Sequence, residues 1–175
     1  MQDLQYIEIE TGENPTAAVI WLHGLGASGH DFEPVVPELG LPEDAAVRFI
    51  FPHAPNLPVT INGGMTMPAW YDIKAMDIDR VVDTEQLRAS ADAVAKLVER
   101  EKEKGVPADR IIIAGFSQGG AVAYELGLSY PERLGGILAL STYFATADTV
   151  QRSEANADVP ISVYHGTFDP MVPES

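Results

Sequence analysis

Apolar residues along this chain fall into short runs separated by polar segments. The first run, "LQYIEIE", alternates apolar and polar positions, which is typical of an edge strand with one buried face. Five later runs are continuous, as in strands buried on both faces of a parallel sheet: "AAVIWLH", "AVRFIF", "RIIIAGF", "GGILALS" and "PISVYHG". The pattern therefore predicts one alternating strand and five buried, mostly parallel strands.

Helical periodicity lies between some of these strands. In "DTEQLRASADAVAKLVEREKEKG", Asp83 can cap a helix, Gln86 stands three residues later, and Gly105 supplies a stop. Its apolar face comprises Leu87, Ala91, Val94 and Val98. A second helix is expected from Gln118 to about residue 128. Alternating strands and helices predict a single α/β domain over residues 1–175, a mostly parallel sheet flanked by helices.

The stretch from residue 52 to residue 71, "PHAPNLPVTINGGMTMPAWY", has neither helical nor strand periodicity. It is long for an irregular connection in a compact domain, which favours a functional surface loop. Met65, Met67 and Trp70 could belong to the core. On such a loop they more plausibly line an apolar channel, because methionine adapts to irregular ligands.

Composition narrows the function. The formal net charge of −15 makes contact with nucleic acid or anionic membranes repulsive. The chain has no cysteine, so thiolate catalysis and disulfides are excluded. The sequence has no basic leader and no apolar run near the ~18 residues that a membrane span needs. We expect a cytoplasmic protein without nucleic acid partners or membrane insertion.

The most specific chemical signal is "GFSQGG", in which Gly115, Ser117 and Gly119 match GxSxG between a strand and a helix. A serine on so sharp a turn adopts strained backbone angles, and its neighbours two positions away must be nearly without side chains. The turn would present the Ser117 hydroxyl at the carboxyl edge of the sheet. The N–H of Gln118 would face the oxygen that becomes negative during acyl transfer.

"HGLGASG", after the second strand, allows two interpretations. Gly24, Gly26 and Gly29 satisfy GxGxxG, which binds a dinucleotide pyrophosphate in other folds. However, the next strand does not end in a ribose-binding acid, and prolines interrupt the expected helix. The alternative is a loop that supplies a second backbone N–H to an oxyanion hole, with Leu25 as the candidate donor.

Together, "WLHGLGASGHDF", "MPAWYDI", "AGFSQGGAVAYELGL" and "HGTFDPMVP" resemble the bacterial carboxylesterase and acyl-protein thioesterase family of α/β-hydrolases, in the family's order. The resemblance implies an α/β-hydrolase fold without a large lid and a hydrolase that needs no cofactor. It implies Ser117 as nucleophile, Asp169 as triad acid, and Leu25 and Gln118 as oxyanion donors. It further implies that Trp70 and Met171 border the acyl channel.

The chain departs from the family's pattern at the general base of the catalytic triad. The triad histidine should follow the acid in sequence, and no histidine follows Asp169. We expect His23 to order the oxyanion loop, His165 to be a structural residue at a strand end, and His30 and His53 to lie on surface loops. One of these four could in principle reach Ser117. Their spacings match no compact metal motif, so no metal is predicted.

Several acidic residues have ordinary explanations. Asp72 in "WYDI" is expected to order its loop as a hydrogen-bond acceptor rather than to act as an acid. A second group, before the long helix, should form a solvated acidic surface: Asp77, Asp79, Asp83 and Glu85.

The sequence thus predicts a serine carboxylester hydrolase that cleaves short- to medium-chain acyl esters or thioesters through an acyl-enzyme on Ser117. A noncatalytic ligand-binding protein on the same fold is the alternative. We expect the domain to be incomplete at its C-terminus, lacking a final strand and helix. The 175-residue chain alone should then be almost inactive, and should persist as a homodimer or beside a separate C-terminal segment.

Overall fold

The computed structural model describes residues 3–75 and 81–166. The strands are β1 (Tyr6–Glu10), β2 (Ala17–Leu22), β3 (Val47–Pro52), β4 (Asn56–Val59), β5 (Met65–Pro68), β6 (Ile73–Ala75), β7 (Val81–Val82), β8 (Ile111–Phe116), β9 (Gly136–Leu140) and β10 (Ile161–Tyr164). The α-helices are α1 (Thr84–Glu103) and α2 (Gln118–Ser129). Short 3-10 helices occupy Gly29–Leu39, Thr60–Asn62, Ala108–Arg110 and Glu154–Asn156.

The central sheet follows the predicted α/β pattern. Its strand order in the described residues is β1-β3-β2-β8-β9-β10. The alternating strand β1 is antiparallel to β3, and the neighbours from β3 to β10 are parallel. The predicted mostly parallel sheet is confirmed, and all six predicted strands belong to it.

The two faces of the sheet are covered unequally. On one face, α1 and α2 bury an extensive apolar core that includes Ile20, Leu22 and Ile113. On the other face, the 3-10 helix Gly29–Leu39 packs over β1 to β3, and Phe32 stacks on Trp21 with ring centroids 5.0 Å apart.

This second layer reaches β8, where the Phe32 ring lies 5.7 Å from the Phe116 ring, but it covers β8 only in part and leaves β10 exposed. Ile112 and Phe116 of β8 are 37% and 38% exposed. At the edge strand β10, the exposed fractions are 42% for Ile161, 59% for Val163 and 64% for Tyr164. This last run is a strand, as predicted, but its side chains are exposed because nothing in the described residues packs on its outer side.

Helix α1 begins and ends as the sequence predicts. The Asp83 side chain accepts a hydrogen bond from the Gln86 N–H at 3.0 Å, and Gly105 takes a positive φ of 97° after the last turn. The Gln86 side chain does not complete a reciprocal capping box. Its Oε1 instead accepts from the Asp72 N–H at 2.7 Å, which ties the helix start to the preceding loop.

The segment from residue 52 to residue 71 is more regular than predicted. Strands β4 and β5 form an antiparallel hairpin, with Asn56 paired to Pro68 and Val59 paired to Met65. Alternating apolar side chains are sparse in so short a hairpin, so the sequence pattern did not reveal it. No helix in the described ranges combines the length and the apolar character that crossing a membrane requires.

Candidate active site

Ser117 lies between β8 and α2 with φ 53° and ψ −117°, a combination that residues with side chains rarely adopt. Such a conformation costs about 1–3 kcal/mol and persists only where the surroundings enforce it. Here the Ser117 N–H donates to the Leu140 carbonyl at 2.9 Å, and its carbonyl accepts from the Gly120 N–H at 3.0 Å. The side chain is partly exposed, and its hydroxyl bonds to no group in the described residues.

The glycines around Ser117 are required for steric reasons. A Cβ at Gly115 would lie 2.3 Å from the Gly119 carbonyl oxygen, and a Cβ at Gly119 would lie 2.5 Å from that of Leu22. Both contacts are with backbone atoms, which no rotamer change can move. The steric reason predicted for the GxSxG spacing is therefore confirmed.

Gln118 starts α2, where the first N–H groups of a helix have no intrahelical acceptor. Its N–H donates to no acceptor within the described residues. The buried Gln118 side chain bridges the next segment: Oε1 accepts from the Trp70 N–H at 2.8 Å, and Nε2 donates to the Tyr71 carbonyl at 2.6 Å. This bridge fixes the helix start against the chain that follows the hairpin.

His23 holds the loop that follows β2. The Ala54 N–H donates to His23 Nε2 at 3.0 Å, so the proton must reside on Nδ1, which lies 2.7 Å from the Gly24 carbonyl oxygen. Burial lowers the pKa of His23, which keeps the ring neutral. The prediction that His23 orders this loop is confirmed.

Leu25, the candidate second oxyanion donor, is partly buried on this loop. Its N–H finds no acceptor in the part of the chain described here. The adjacent Gly26, with φ 75°, donates its N–H to Pro68 at 2.8 Å. A Cβ on Gly119 would approach the His23 carbonyl to 2.6 Å, so this loop directly adjoins the start of α2.

The predicted apolar channel residues lie in different environments. Trp70 has no exposed surface; its Nε1 donates to the His23 carbonyl at 2.8 Å, and its ring lies 5.2 Å from the His23 ring. The expectation that Trp70 lines a channel is therefore wrong, because the indole is a core support beneath the loop. Met65 is 65% exposed, while the Met67 sulfur lies 3.7 Å from a Cβ placed on Gly26. Of these three, Met67 is thus the partly exposed residue that lies beside the glycine-rich loop after β2.

The other histidines also have contacts of their own. His53 is partly buried rather than on a free surface loop, and its Nδ1 accepts from the Gly29 N–H at 3.1 Å. Burial, together with the nearby His30 ring, lowers the pKa of His53. His30 is exposed and pairs with Glu33. His165 directly follows β10, as predicted. Asp169 and Met171, the proposed acid and channel residue, lie outside the described residues.

Asp72 orders its loop as expected. Its carboxylate accepts from the Thr60 N–H at 2.8 Å and from the Thr60 hydroxyl at 2.6 Å. Burial acts to raise the pKa of Asp72, but these hydrogen bonds outweigh it and hold the pKa below its usual value. Asp83 is the helix cap rather than part of a solvated acidic surface; Asp77 and Asp79 lie outside the described residues.

Sequence analysis missed one contact to the nucleophile. Thr142, two residues after β9, donates its hydroxyl to the Ser117 carbonyl at 2.5 Å. Its place was predictable in outline, because β9 is parallel to β8 and the carboxyl ends of parallel strands meet at one edge of the sheet.

Comparison with known proteins agrees with this geometry. The model of the phospholipase/carboxylesterase family matches residues 4–175. The protein named acyl-protein thioesterase 1 of Gibberella zeae is 40% identical over 168 residues, covering 90% of this chain and 72% of that protein. Acyl-protein thioesterase 1 of Neurospora crassa is 42% identical over 167 residues, covering 90% of this chain and 68% of that protein.

Solved structures show the same fold. SOBER1 of Arabidopsis thaliana superimposes with a TM-score of 0.85 at 32% identity, covering 90% of this chain and 77% of that one. Acyl-protein thioesterase 2 of Zea mays gives a TM-score of 0.81 at 29% identity, covering 97% and 78%. These matches favour the hydrolase interpretation of the glycine-rich loop over the nucleotide-binding one. The chain belongs to the phospholipase/carboxylesterase family and is an esterase- or thioesterase-like serine hydrolase of the α/β-hydrolase fold.

Proposed function

We propose that this protein hydrolyses short- to medium-chain acyl esters or thioesters through an acyl-enzyme on Ser117. The observation that carries the proposal is the strained backbone of Ser117 at the carboxyl edge of the sheet, with a partly exposed hydroxyl. A conformation this costly, enforced by glycines that cannot be replaced, is expected where a side chain must be presented to a substrate.

In the proposed reaction, Ser117 Oγ attacks the acyl carbonyl while a general base removes its proton. The carbonyl oxygen becomes negative and accepts hydrogen bonds from the Gln118 and Leu25 N–H groups. The alcohol or thiol then leaves with the proton, and water releases the acid by the same steps. The Leu25 N–H, on the loop after β2, and the Gln118 N–H, at the start of α2, have no acceptor among the described residues, which supports this assignment.

We propose that the general base is a histidine supplied from outside residues 1–175, held by Asp169. Three histidines of the chain already have other hydrogen-bond or ion-pair partners. Both ring nitrogens of His23 are hydrogen-bonded, His53 Nδ1 accepts from the Gly29 N–H, and His30 pairs with Glu33. The exposed apolar side chains of β10, together with the partly exposed Ile112 and Phe116 of β8, offer a surface on which such a segment could pack.

The proposed substrates are uncharged acyl groups. Met67 lies beside the oxyanion loop and offers an apolar contact for an acyl chain. The net charge of −15 opposes binding of dianionic phosphate monoesters. Because relatives are named acyl-protein thioesterases, S-acylated proteins are a natural class of thioester to test.

Covalent labelling tests the nucleophile. A fluorophosphonate should modify the catalytically competent protein at Ser117, and Ser117→Ala should abolish the label. Ser129→Ala is a matched control, because that hydroxyl belongs to the far end of the same helix and donates to the Glu125 carbonyl. A label that peptide mapping places elsewhere would contradict the assignment, and persistent ligand binding without labelling would favour the noncatalytic alternative.

Denaturing mass spectrometry beside an assay with p-nitrophenyl esters tests the source of the base. We expect ester turnover to require a second species or further residues that carry a histidine, with phosphate monoesters left uncleaved. A single species of 18.9 kDa with full turnover would refute this part of the proposal. One of the four histidines in the chain would then have to be the base.

A further inference from the structure

Thr142 contacts the peptide group that carries one of the proposed oxyanion donors. The chain turns sharply after β9: Ser141 has a positive φ of 44°, and its N–H donates to the Tyr164 carbonyl at 2.8 Å. This turn brings Thr142 to the Ser117 carbonyl, to which its hydroxyl donates at 2.5 Å. The alternative acceptor, the Tyr143 carbonyl, is at 3.4 Å and therefore much weaker.

The Ser117 carbonyl and the Gln118 N–H belong to the same planar, trans peptide group. Any bond that fixes the direction of the carbonyl also fixes the direction of the N–H on the opposite side. The carbonyl oxygen accepts two hydrogen bonds, from the Gly120 N–H at 3.0 Å and from Thr142. The hydroxyl also polarises the peptide, which strengthens the Gln118 N–H as a donor.

The Thr142 side chain is held closely against α2. A Cβ on Gly120 would lie 2.4 Å from both Thr142 Cβ and Oγ1, so the glycine is what allows this approach. Further along the same loop, the Thr146 hydroxyl donates to Glu125 of α2 at 2.6 Å. The loop is thus anchored to the helix independently of Thr142.

We propose that Thr142 is a positioning residue for the oxyanion hole, acting through the Ser117–Gln118 peptide. The inference rests on the proposed function, in which Gln118 N–H binds the negative oxygen. Removing the Thr142 hydroxyl should therefore slow the chemical step, and this effect should be separable from any loss of folded protein.

The kinetic test compares Thr142→Val, which removes the hydroxyl at nearly constant volume, with Thr142→Ser, which keeps it. In the form of the protein that cleaves p-nitrophenyl butyrate, rates are divided by the concentration of titrated Ser117. Removing an oxyanion donor outright costs about 10²–10³ in kcat, so losing only its orientation should cost roughly tenfold, with KM nearly unchanged. Thr142→Ser should stay within about threefold of the parent protein.

Thr146→Val is the control, since it removes a hydroxyl from the same loop without touching the Ser117 peptide. It should lower stability but leave kcat per titrated site unchanged. The inference is overturned if Thr142→Val keeps the parent kcat, if Thr142→Ser loses as much as Thr142→Val, or if Thr146→Val loses equally.

A measurement without turnover keeps the inference separate from the proposed function. The 13C shift of the Ser117 carbonyl and the 15N shift of Gln118, measured by NMR on the 175-residue chain, report the hydrogen bond directly. Both should move in Thr142→Val and remain close to the parent values in Thr142→Ser. Unchanged shifts in Thr142→Val would overturn the inference. If the shifts move as expected but the form of the protein that carries the additional histidine cleaves no ester, the proposed function is contradicted and the inference about Thr142 is not.

Discussion

Replacing Gly119 by alanine should displace the start of α2 from the sheet. The added methyl group would lie 2.5 Å from the Leu22 carbonyl oxygen and 2.6 Å from that of His23. An unstrained carbon–oxygen contact is about 3.3 Å or longer, so the helix start must move by roughly 0.8 Å. Both oxygens belong to backbone that the sheet and the His23 hydrogen bonds hold in place, so the sheet side of the contact cannot yield.

The expected loss of stability follows from this overpacking. Inserting a methyl group into a well-packed region costs about 1–3 kcal/mol, and the gain in helix propensity recovers less than ~1 kcal/mol at the first turn. For a domain of this size, each kcal/mol of lost stability lowers the midpoint of thermal unfolding by about 2–4 °C, so Gly119→Ala should unfold roughly 2–10 °C below the parent protein. Displacing the oxyanion donor by nearly 1 Å should slow acylation about 10²-fold.

Two measurements check this prediction: thermal unfolding, and the rate of fluorophosphonate labelling at Ser117 in the competent protein. Gly127→Ala is the matched control in the same helix. Its methyl group meets Cδ1 and Cγ1 of the buried Ile137 side chain, at 2.4 and 2.5 Å, so this variant should also lose stability, but away from Ser117 and the start of α2. We expect Gly127→Ala to label like the parent protein. The steric argument is wrong if Gly119→Ala melts and labels like the parent.

Two further predictions concern stability. Burial lowers the pKa values of His23 and His53 in the folded protein, so stability should be fully present above the unfolded value of about 6.5. Below that pH the free energy of unfolding should fall by up to about 1.4 kcal/mol per pH unit for each ring, until the folded pKa is reached. Urea titrations at pH 7.5 and 5.5 measure this loss, and His53→Gln should make stability less dependent on pH. Arg48→Met should lower the free energy of unfolding by about 3–5 kcal/mol, because it leaves the buried Glu101 carboxylate without its partner at 2.5 Å. Adding Glu101→Leu to this variant should recover most of that loss, as measured by urea unfolding. Equal stabilities of the single and double variants would contradict that account.

The order and type of the main elements could be predicted from local patterns. Strands β2, β3, β8 and β9 are continuous apolar runs in which most side chains are buried, and a run of that kind is visible without knowing its neighbours. The start of α1 was predictable because Asp83 and Gln86 lie within one turn. The GxSxG elbow was predictable in part for the same reason, because the conflict at Gly115 is with Gly119, four positions away, whereas Gly119 itself conflicts with the distant Leu22 and His23 carbonyls.

Predictions failed where a residue's role depends on distant neighbours. Trp70 stands in a stretch without helical or strand periodicity, and the hydrogen bonds that fix it in the core involve His23 and Gln118, 47 and 48 positions away. Strand β10 looks in sequence like any other buried strand, but its exposure depends on whether another element packs beside it. The hairpin of β4 and β5 was missed because each strand has only four residues and contains a proline, which is too little to show a period.

The sequence by itself determined the α/β class and the strained serine turn, because both depend on backbone sterics or periodicity within a few positions. The triad acid Asp169 rests on the resemblance to a family and stays a prediction. Only the tertiary structure decided the tautomer of His23, the burial of Trp70 and the contact of Thr142 with the Ser117 carbonyl. Those features arise where parallel strands end together at one edge of the sheet. Residues far apart in sequence meet there, and their hydrogen bonds depend on distances that no local pattern encodes.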